Sequence, residues 1–250
     1  MITKERDGLK WLEFELFQHF KELKHGILTH LNTEDSSSDA SLNLNTQDDK
    51  KSELVQKNLR KLKTTFSLAD LVYANQMHGD KIEAITSENQ ERFFECDGLI
   101  TTTPDIALLM KHADCQAALF YDPIQKVIAN IHCGWRGNVL NIYKTTVAHL
   151  CQNYGCYPKN LYVGISPSLG PNHAQFKNYQ KELPKDFWKY QVQPSYFDLW
   201  EIAKQQLLET GILPSHLEIA KICTFENPQD FFSHRRGKDE GRNGTFISLN

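Results

Sequence analysis

No apolar run in the 250 residues approaches the roughly 18 needed to cross a bilayer, so a membrane-spanning helix is not expected. No Cys-x-x-Cys pair occurs, which removes the zinc-ribbon and thioredoxin-type readings of the six cysteines. Charge of one sign is not in excess: 28 basic against 31 acidic residues give −3. Nothing therefore marks a dedicated nucleic-acid binder. The start, Met1-Ile2-Thr3-Lys4-Glu5-Arg6, enters a mixed charged stretch with no secretory apolar segment. The expected address is the cytoplasm, where the cysteines stay reduced and a special one serves as ligand or nucleophile. Internal repeats and Pro- or Gly-rich linkers are also missing, so residues 1–250 are read as a single domain.

The content that remains suits a buried core, since 40% of the residues are hydrophobic and 24% charged. Asn32 to Asp39 is polar and serine-rich and reads as a surface loop. Apolar spacing predicts helices over Ser52–Leu62, Val139–Leu150 and Asp198–Thr210, with Gly155 and Gly211 beyond the last two as stops. Short apolar runs predict strands at Leu71–Asn75, Lys81–Thr86, Gly98–Thr102, Ile106–Lys111, Gln116–Tyr121, Lys126–His132, Leu161–Ile165, Leu217–Cys223 and Thr245–Leu249. Strands cluster instead of alternating with helices. The expected class is α+β, mixed β-sheets packed with a few flanking helices.

Lys111-His112-Ala113-Asp114-Cys115 and His132-Cys133-Gly134-Trp135-Arg136-Gly137 flank Tyr121-Asp122-Pro123-Ile124-Gln125. Asp-Pro suits a type I turn, which makes the segment a β-hairpin. With Asp122 facing Gln125, Cys115 faces His132, their Cβ atoms about 4.5–5.5 Å apart. A thiolate and an imidazole at that separation can share one metal ion. His78, beside the permissive Gly79, is the best third ligand. Three Cys/His ligands leave one tetrahedral position open, as in catalytic zinc sites. Each residue also has a plainer reading: Cys115 as a buried thiol, His132 as a core histidine, His78 as a loop residue. Gly134-Trp135-Arg136-Gly137 precedes a predicted helix and suits an anion such as phosphate, or is a tight turn with a surface arginine. Phe231 to Arg236, followed by Gly241-Arg242, could hold a base and a phosphate, or be a solvated basic loop.

Together Gln76-Met77-His78-Gly79, Cys96-Asp97-Gly98, His112-Ala113-Asp114-Cys115, His132 to Gly137 and Phe232-Ser233-His234-Arg235-Arg236 resemble, in order, the motifs of the YfiH-type purine nucleoside phosphorylases. That family also goes by the names laccase-domain and multicopper polyphenol oxidase, and has been linked to peptidoglycan editing. Ser41-Leu42-Asn43-Leu44 matches its N-terminal motif. The resemblance implies a mixed α+β fold and zinc, alternatively copper, on His78, Cys115 and His132. It implies phosphorolysis of adenosine, inosine, guanosine and methylthioadenosine, with adenosine deamination beside it. Purine nucleosides and phosphate are the implied partners, and Asn43, His112, Arg136, Arg236 and Arg242 the expected substrate-binding residues. The sequence departs from the family at Gln116-Ala117, Cys133, Asn172-His173 and Gln175, which bears on the pocket more than on the ligands. Two other enzyme readings use the same residues. One is a Cys-His amidase acting on a cell-wall precursor, with Cys115 as nucleophile and His132 as base. The other is a copper-dependent polyphenol oxidase. A zinc-stapled binding protein, with His112 or Cys133 as a fourth ligand, is the non-enzymatic reading. Oligomeric state is left open.

Overall fold

The central strands are apolar on both faces, and that requires a layer on each side of them. In the computed structural model, which describes residues 1–30, 42–46, 52–89, 94–237 and 241–250, those layers are present. The polar stretch from Asn32 to Asp39 lies outside the described residues. In chain order the strands are β1 (Ile2–Arg6), β2 (Leu9–Glu13), β3 (Leu23–Leu28), β4 (Asp70–Tyr73), β5 (Ile82–Ala84), β6 (Gly98–Thr101) and β7 (Ile106–His112). They continue with β8 (Gln116–Asp122), β9 (Val127–Cys133), β10 (Tyr162–Ile165), β11 (Gln191–Gln193), β12 (Tyr196–Phe197), β13 (Leu217–Ile219) and β14 (Asn243–Leu249). One six-stranded sheet has the order β1-β2-β3-β14-β7-β4 and the other β13-β10-β8-β9-β6-β5; β11 and β12 form a small ribbon.

Alternation along the strands builds three cores. Ile106, Leu108 and Met110 of β7 meet Ala117, Leu119 and Tyr121 of β8 between the sheets. Ala107 and Leu109 point the other way, onto Val55, Leu59 and Leu62 of helix α1 (Ser52–Phe66). Ala118, Phe120 and Ile131 cover the outer face of the second sheet with α3 (Ile142–Tyr154) and α5 (Leu199–Glu209). The result is helix, sheet, sheet, helix, an α+β fold as expected. Each fully buried Leu or Phe in these layers contributes roughly 1.5–3 kcal/mol of transfer free energy.

The local signals explain most boundaries. Helix α1 runs one turn past its predicted end, to a left-handed Ser67, with Leu68 N–H bonded back to Lys63 O at 2.9 Å. The predicted helix over Val139–Leu150 is two helices, α2 (Trp135–Leu140) and α3, because Asn141 is left-handed and its side chain accepts from Lys144 N–H. Asp198 caps α5 by accepting from Glu201 N–H, and Gly155 ends α3 at φ 68°. A short α4 (Tyr179–Glu182) lies between. The predicted strand over Leu217–Cys223 stops at Ile219, before a left-handed Lys221. Strands β1 to β3 lie outside the predicted set. Asp7-Gly8, both at positive φ, is the hairpin turn joining β1 to β2, a pairing signal present in the sequence.

Candidate functional site

Strand β7 belongs to one sheet and β8 to the other, and only Ala113, Asp114 and Cys115 connect them. The abrupt crossing needs a left-handed Asp114, at φ 82°. Cys115 therefore stands where the two sheets part. His132 reaches the same place from β9.

The predicted register of the β8–β9 hairpin is corrected. Asp122 faces Val127, and Ala117, not Cys115, faces His132. The turn is two residues longer than an Asp-Pro type I turn implies. Asp122 Oδ1 accepts from the N–H groups of Ile124 and Gln125, and Lys126 is left-handed. A shift of two keeps every side chain on its original face, so Cys115 and His132 still converge. With His78 they form a cluster whose ligand atoms lie within 4.8 Å of one another. The rings of His78 and His132 meet edge to face, centroids 4.9 Å apart. Neither His112 nor Cys133 belongs to this cluster. His112 bonds through Nε2 to Thr245 Oγ1 at 2.8 Å, and Cys133 packs in the core on the far side of its sheet.

Asp97 organises the cluster, a role that sequence spacing does not signal. Its Oδ1 accepts from His132 Nδ1 at 2.8 Å and His78 N–H at 2.9 Å. Its Oδ2 accepts from Gly79 N–H at 2.7 Å and Met77 N–H at 3.1 Å. One buried carboxylate thus fixes the turn carrying His78, left-handed at φ 60°, and leaves His132 Nε2 aimed at the cluster. Burial pushes the Asp97 carboxyl up, but the hydrogen bond from His132 and those from Gly79 and His78 outweigh it and hold it below the usual range. Burial likewise pushes the Cys115 thiol up, yet the charge of His132 and hydrogen bonds from His132 and His78 bring it down to about 6. Against its own desolvation, His132 is raised to about 9 by Cys115 and Asp97.

These donors fit a borderline metal ion. Zinc, bound by sulfur at about 2.3 Å and by nitrogen at about 2.0–2.1 Å, takes a Cys/His donor set of this composition. Gly134 completes the cradle: a Cβ there would stand 3.0 Å from Cys115 Sγ and 3.2 Å from His78 Cδ2. Its φ of −82° is open to any residue, so close approach to these two side chains is what favours glycine there. Gly134→Ala should keep the thermal midpoint within a few degrees while lowering metal affinity about 10- to 100-fold. Chelator competition reads this, and unchanged affinity would mean the ligands do not need that space.

Two cavities open from the cluster and share His78, Ala113, Cys115 and His234. One, of about 240 Å³, is lined by Lys111, His112, Gln76, Asn45 and Arg242. Lys111 is buried, its ammonium 4.8 Å from the Tyr73 ring centroid. Burial first, then Arg242, pushes it down to about 8. Burial also drives His112 down to about 3, so it is neutral. The second cavity, of about 380 Å³, is walled by Trp135, Phe176 and Leu169, with Gln175, Asn178 and Glu182 as polar groups and Arg136, Lys177 and Arg235 as cations. Trp135 and Phe176 meet edge to face at 6.0 Å.

The expected substrate-binding residues are placed differently from one another. His112 and Arg242 line the smaller cavity. Asn43 is buried behind it, where Oδ1 accepts from the N–H groups of Arg242 and Asn45 at 2.9 Å each. Arg136 lines the larger cavity and stacks over Trp135 at 4.2 Å. Arg236 lines neither; it donates to the carbonyls of Thr224, Phe225 and Phe231. Lys111 and His234 line the site without being among the expected residues. A lysine ending the apolar run Ile106 to Met110 is the available signal for the first. Asp114 brings in the second by accepting from Arg235 N–H at 2.6 Å and Thr224 Oγ1 at 2.7 Å.

The family model described as multi-copper polyphenol oxidoreductase laccase matches residues 24–250. A purine nucleoside phosphorylase of Bacteroides thetaiotaomicron is 29% identical, covering 96% of each chain. The crystal structure of a hypothetical protein YfiH of Bacillus licheniformis superposes with a TM-score of 0.86 at 25% identity, covering 99% of both chains. That of YlmD from Geobacillus stearothermophilus superposes at 0.85 with 26% identity, over 99% of this chain and 98% of the other.

Proposed function

The chain belongs to the multi-copper polyphenol oxidoreductase laccase family, and from that premise we propose that it is a purine nucleoside phosphorylase. The observation that carries this reading is the pair of cavities meeting at His78 and Cys115, a smaller one with Lys111 and Arg242 in its wall and a larger one that sets Trp135 and Phe176 beside Arg136, Lys177 and Arg235. A nucleoside and a phosphate need such a division. Lys111 and Arg242 hold the phosphate, Trp135 and Phe176 the purine, and the ribose lies at the junction. Phosphate oxygen bonds to the anomeric carbon as the bond to the purine nitrogen breaks, and the base leaves with that electron pair. Lys111 and Arg242 orient the phosphate and offset its charge. Asn178 and Glu182, which line the same cavity, would meet the polar edge of the base. His78, Cys115 and His132 would hold zinc, or copper, which supplies Lewis-acid stabilisation when bound.

Adenosine, inosine, guanosine and methylthioadenosine are the proposed substrates, with adenosine deamination secondary. Deamination consumes water and has no use for a second cation beside Arg242. Adenosine incubated with and without phosphate tests this, with adenine, ribose 1-phosphate and inosine separated. Adenine is expected only with phosphate. Inosine as the sole product in both incubations would overturn the reading in favour of a deaminase.

Phosphate use should depend on pH through Lys111. Its folded pKa lies below the ordinary value, so the free enzyme loses that proton as pH rises through about 8. A bound anion favours the charged form, and the KM for phosphate should therefore climb above that pH. By the same linkage, this group makes stability rise with pH between about 8 and the unfolded value near 10.4. Lys111→Met should raise the phosphate KM about 10- to 100-fold, equivalent to the roughly 1.5–3 kcal/mol of a charge-assisted hydrogen bond. It should also remove the alkaline limb; a limb that persists would move the effect to another group.

One observation favours a second reading. Cys115, His132 and Asp97 stand in the order nucleophile, base and orienting carboxylate, which suits a Cys-His amidase. His78 supports the metal reading over it, because a nucleophile and base need no third ligand tied to the same carboxylate.

A further inference from the structure

We infer that His173, Cys223 and Glu226 form a second divalent-metal site of the zinc type, separate from His78, Cys115 and His132. Their ligand atoms lie within 4.8 Å of one another. His173 Nε2 is 2.9 Å from Glu226 Oε1. Cys223 is buried, and its Sγ accepts the N–H of Gly170 at 3.2 Å. Thiolate is the form of cysteine that binds metal.

The surroundings hold these donors in place. His173 stacks on Phe225 with centroids 4.1 Å apart, and its N–H bonds Gly170 O at 3.0 Å. A Cβ on Gly170 would come within 3.1 Å of Cys223 Sγ, so the loop is closed tightly around the sulfur. Asn227 Nδ2 donates to Cys223 O at 2.8 Å, and Ser168 pairs with Cys223 as an isolated parallel bridge. His173 and Glu226 are partly exposed, 27% and 49% by side chain, which leaves an entry path and room for water as a fourth ligand. One sulfur, one imidazole nitrogen and one carboxylate oxygen suit zinc better than a hard cation such as magnesium. Binding releases the Cys223 thiol proton and any proton shared by His173 and Glu226 to solvent, with no change of oxidation state.

The site would act as a clasp. It joins the loop that supplies Ser168, Leu169 and Gln175 to the aromatic cavity with the segment whose Thr224 hydroxyl bonds Asp114. A metal there ties the wall of that cavity to the residue preceding Cys115.

Cobalt titration of the Cys115→Ala chain tests this, because that substitution removes the thiolate of the first site. A thiolate-to-cobalt charge-transfer band should grow to one equivalent. It should vanish in Cys115→Ala/His173→Ala and weaken at least tenfold in apparent affinity in Cys115→Ala/Glu226→Gln. No band in folded Cys115→Ala, or a band indifferent to His173→Ala, overturns the site. Should Cys115→Ala fail to fold, zinc analysis of the unsubstituted chain against His173→Ala decides. A loss of one equivalent supports the site, and an unchanged content rejects it. No assay of nucleoside turnover enters, so the clasp and the phosphorylase reading stand or fall separately.

Discussion

Cys115→Ala should lose metal from the first site and about a thousandfold in turnover while the chain stays folded. The thiolate is the only sulfur donor in the His78, Cys115, His132 cluster. Two imidazoles without it form a weak site for zinc. Lewis-acid stabilisation of several kcal/mol, at 1.36 kcal/mol per tenfold, sets the size of the rate loss. The fold should tolerate the change because Cys115 is half-buried at the sheet crossing, outside all the hydrophobic cores. A stability cost of about 1 kcal/mol is expected, comparable to a small truncation. Elemental analysis, phosphorolysis and a urea titration on one preparation measure all three. Metal bound to His78 and His132 at wild-type affinity in the variant would remove Cys115 from the ligand set. An amide-hydrolysing activity that needs Cys115, in a wild type that carries no metal and shows no phosphorolysis, would instead support the Cys-His amidase.

The legibility of the site in the sequence follows its chemistry. Cys115, His132 and His78 are visible because metal-binding side chains stand beside turn residues. Their convergence survives an incorrect hairpin turn only because the error is two residues, an even number. A shift of one would put Cys115 and His132 on opposite faces. Asp97 is invisible by the same standard. It acts on three backbone N–H groups and a ring nitrogen, none of which leaves a trace in residue spacing. Arg236 illustrates the converse. An arginine in a basic run reads as a ligand for anions, yet its guanidinium is engaged with the carbonyls of the loops around it. In the fold, buried strands such as β7 and β8 are plain from their apolar runs. Strands β1 and β2 are not, because β1 is mostly exposed and charged and only its Asp-Gly turn marks it.

Asp97→Asn should be severely damaging although it is conservative in size. Oδ1 serves His78 N–H and His132 Nδ1, and Oδ2 serves Met77 and Gly79 N–H. Every partner on the Oδ2 side is a donor, and an amide offers only one acceptor oxygen. With its nitrogen toward Met77 and Gly79, the asparagine leaves two N–H groups facing a donor. Turned around, it faces His78 N–H with a donor and drives the His132 proton to Nε2, the atom needed as ligand. Breaking a buried charged pair from one side costs about 3–5 kcal/mol. Loss of a carboxylate behind a ligating histidine lowers metal affinity about 10- to 100-fold. The pH dependence identifies the cause. Asp97 is held below the usual carboxylate range, so its contribution is present above the unfolded pKa near 3.9 and lost as pH falls through the folded value. The gap in urea midpoint between wild type and variant should be full at pH 7 and narrow only once the pH is taken below about 4. A variant with the wild-type midpoint and metal affinity at pH 7 would show that the turn carrying His78 is held by something other than this carboxylate.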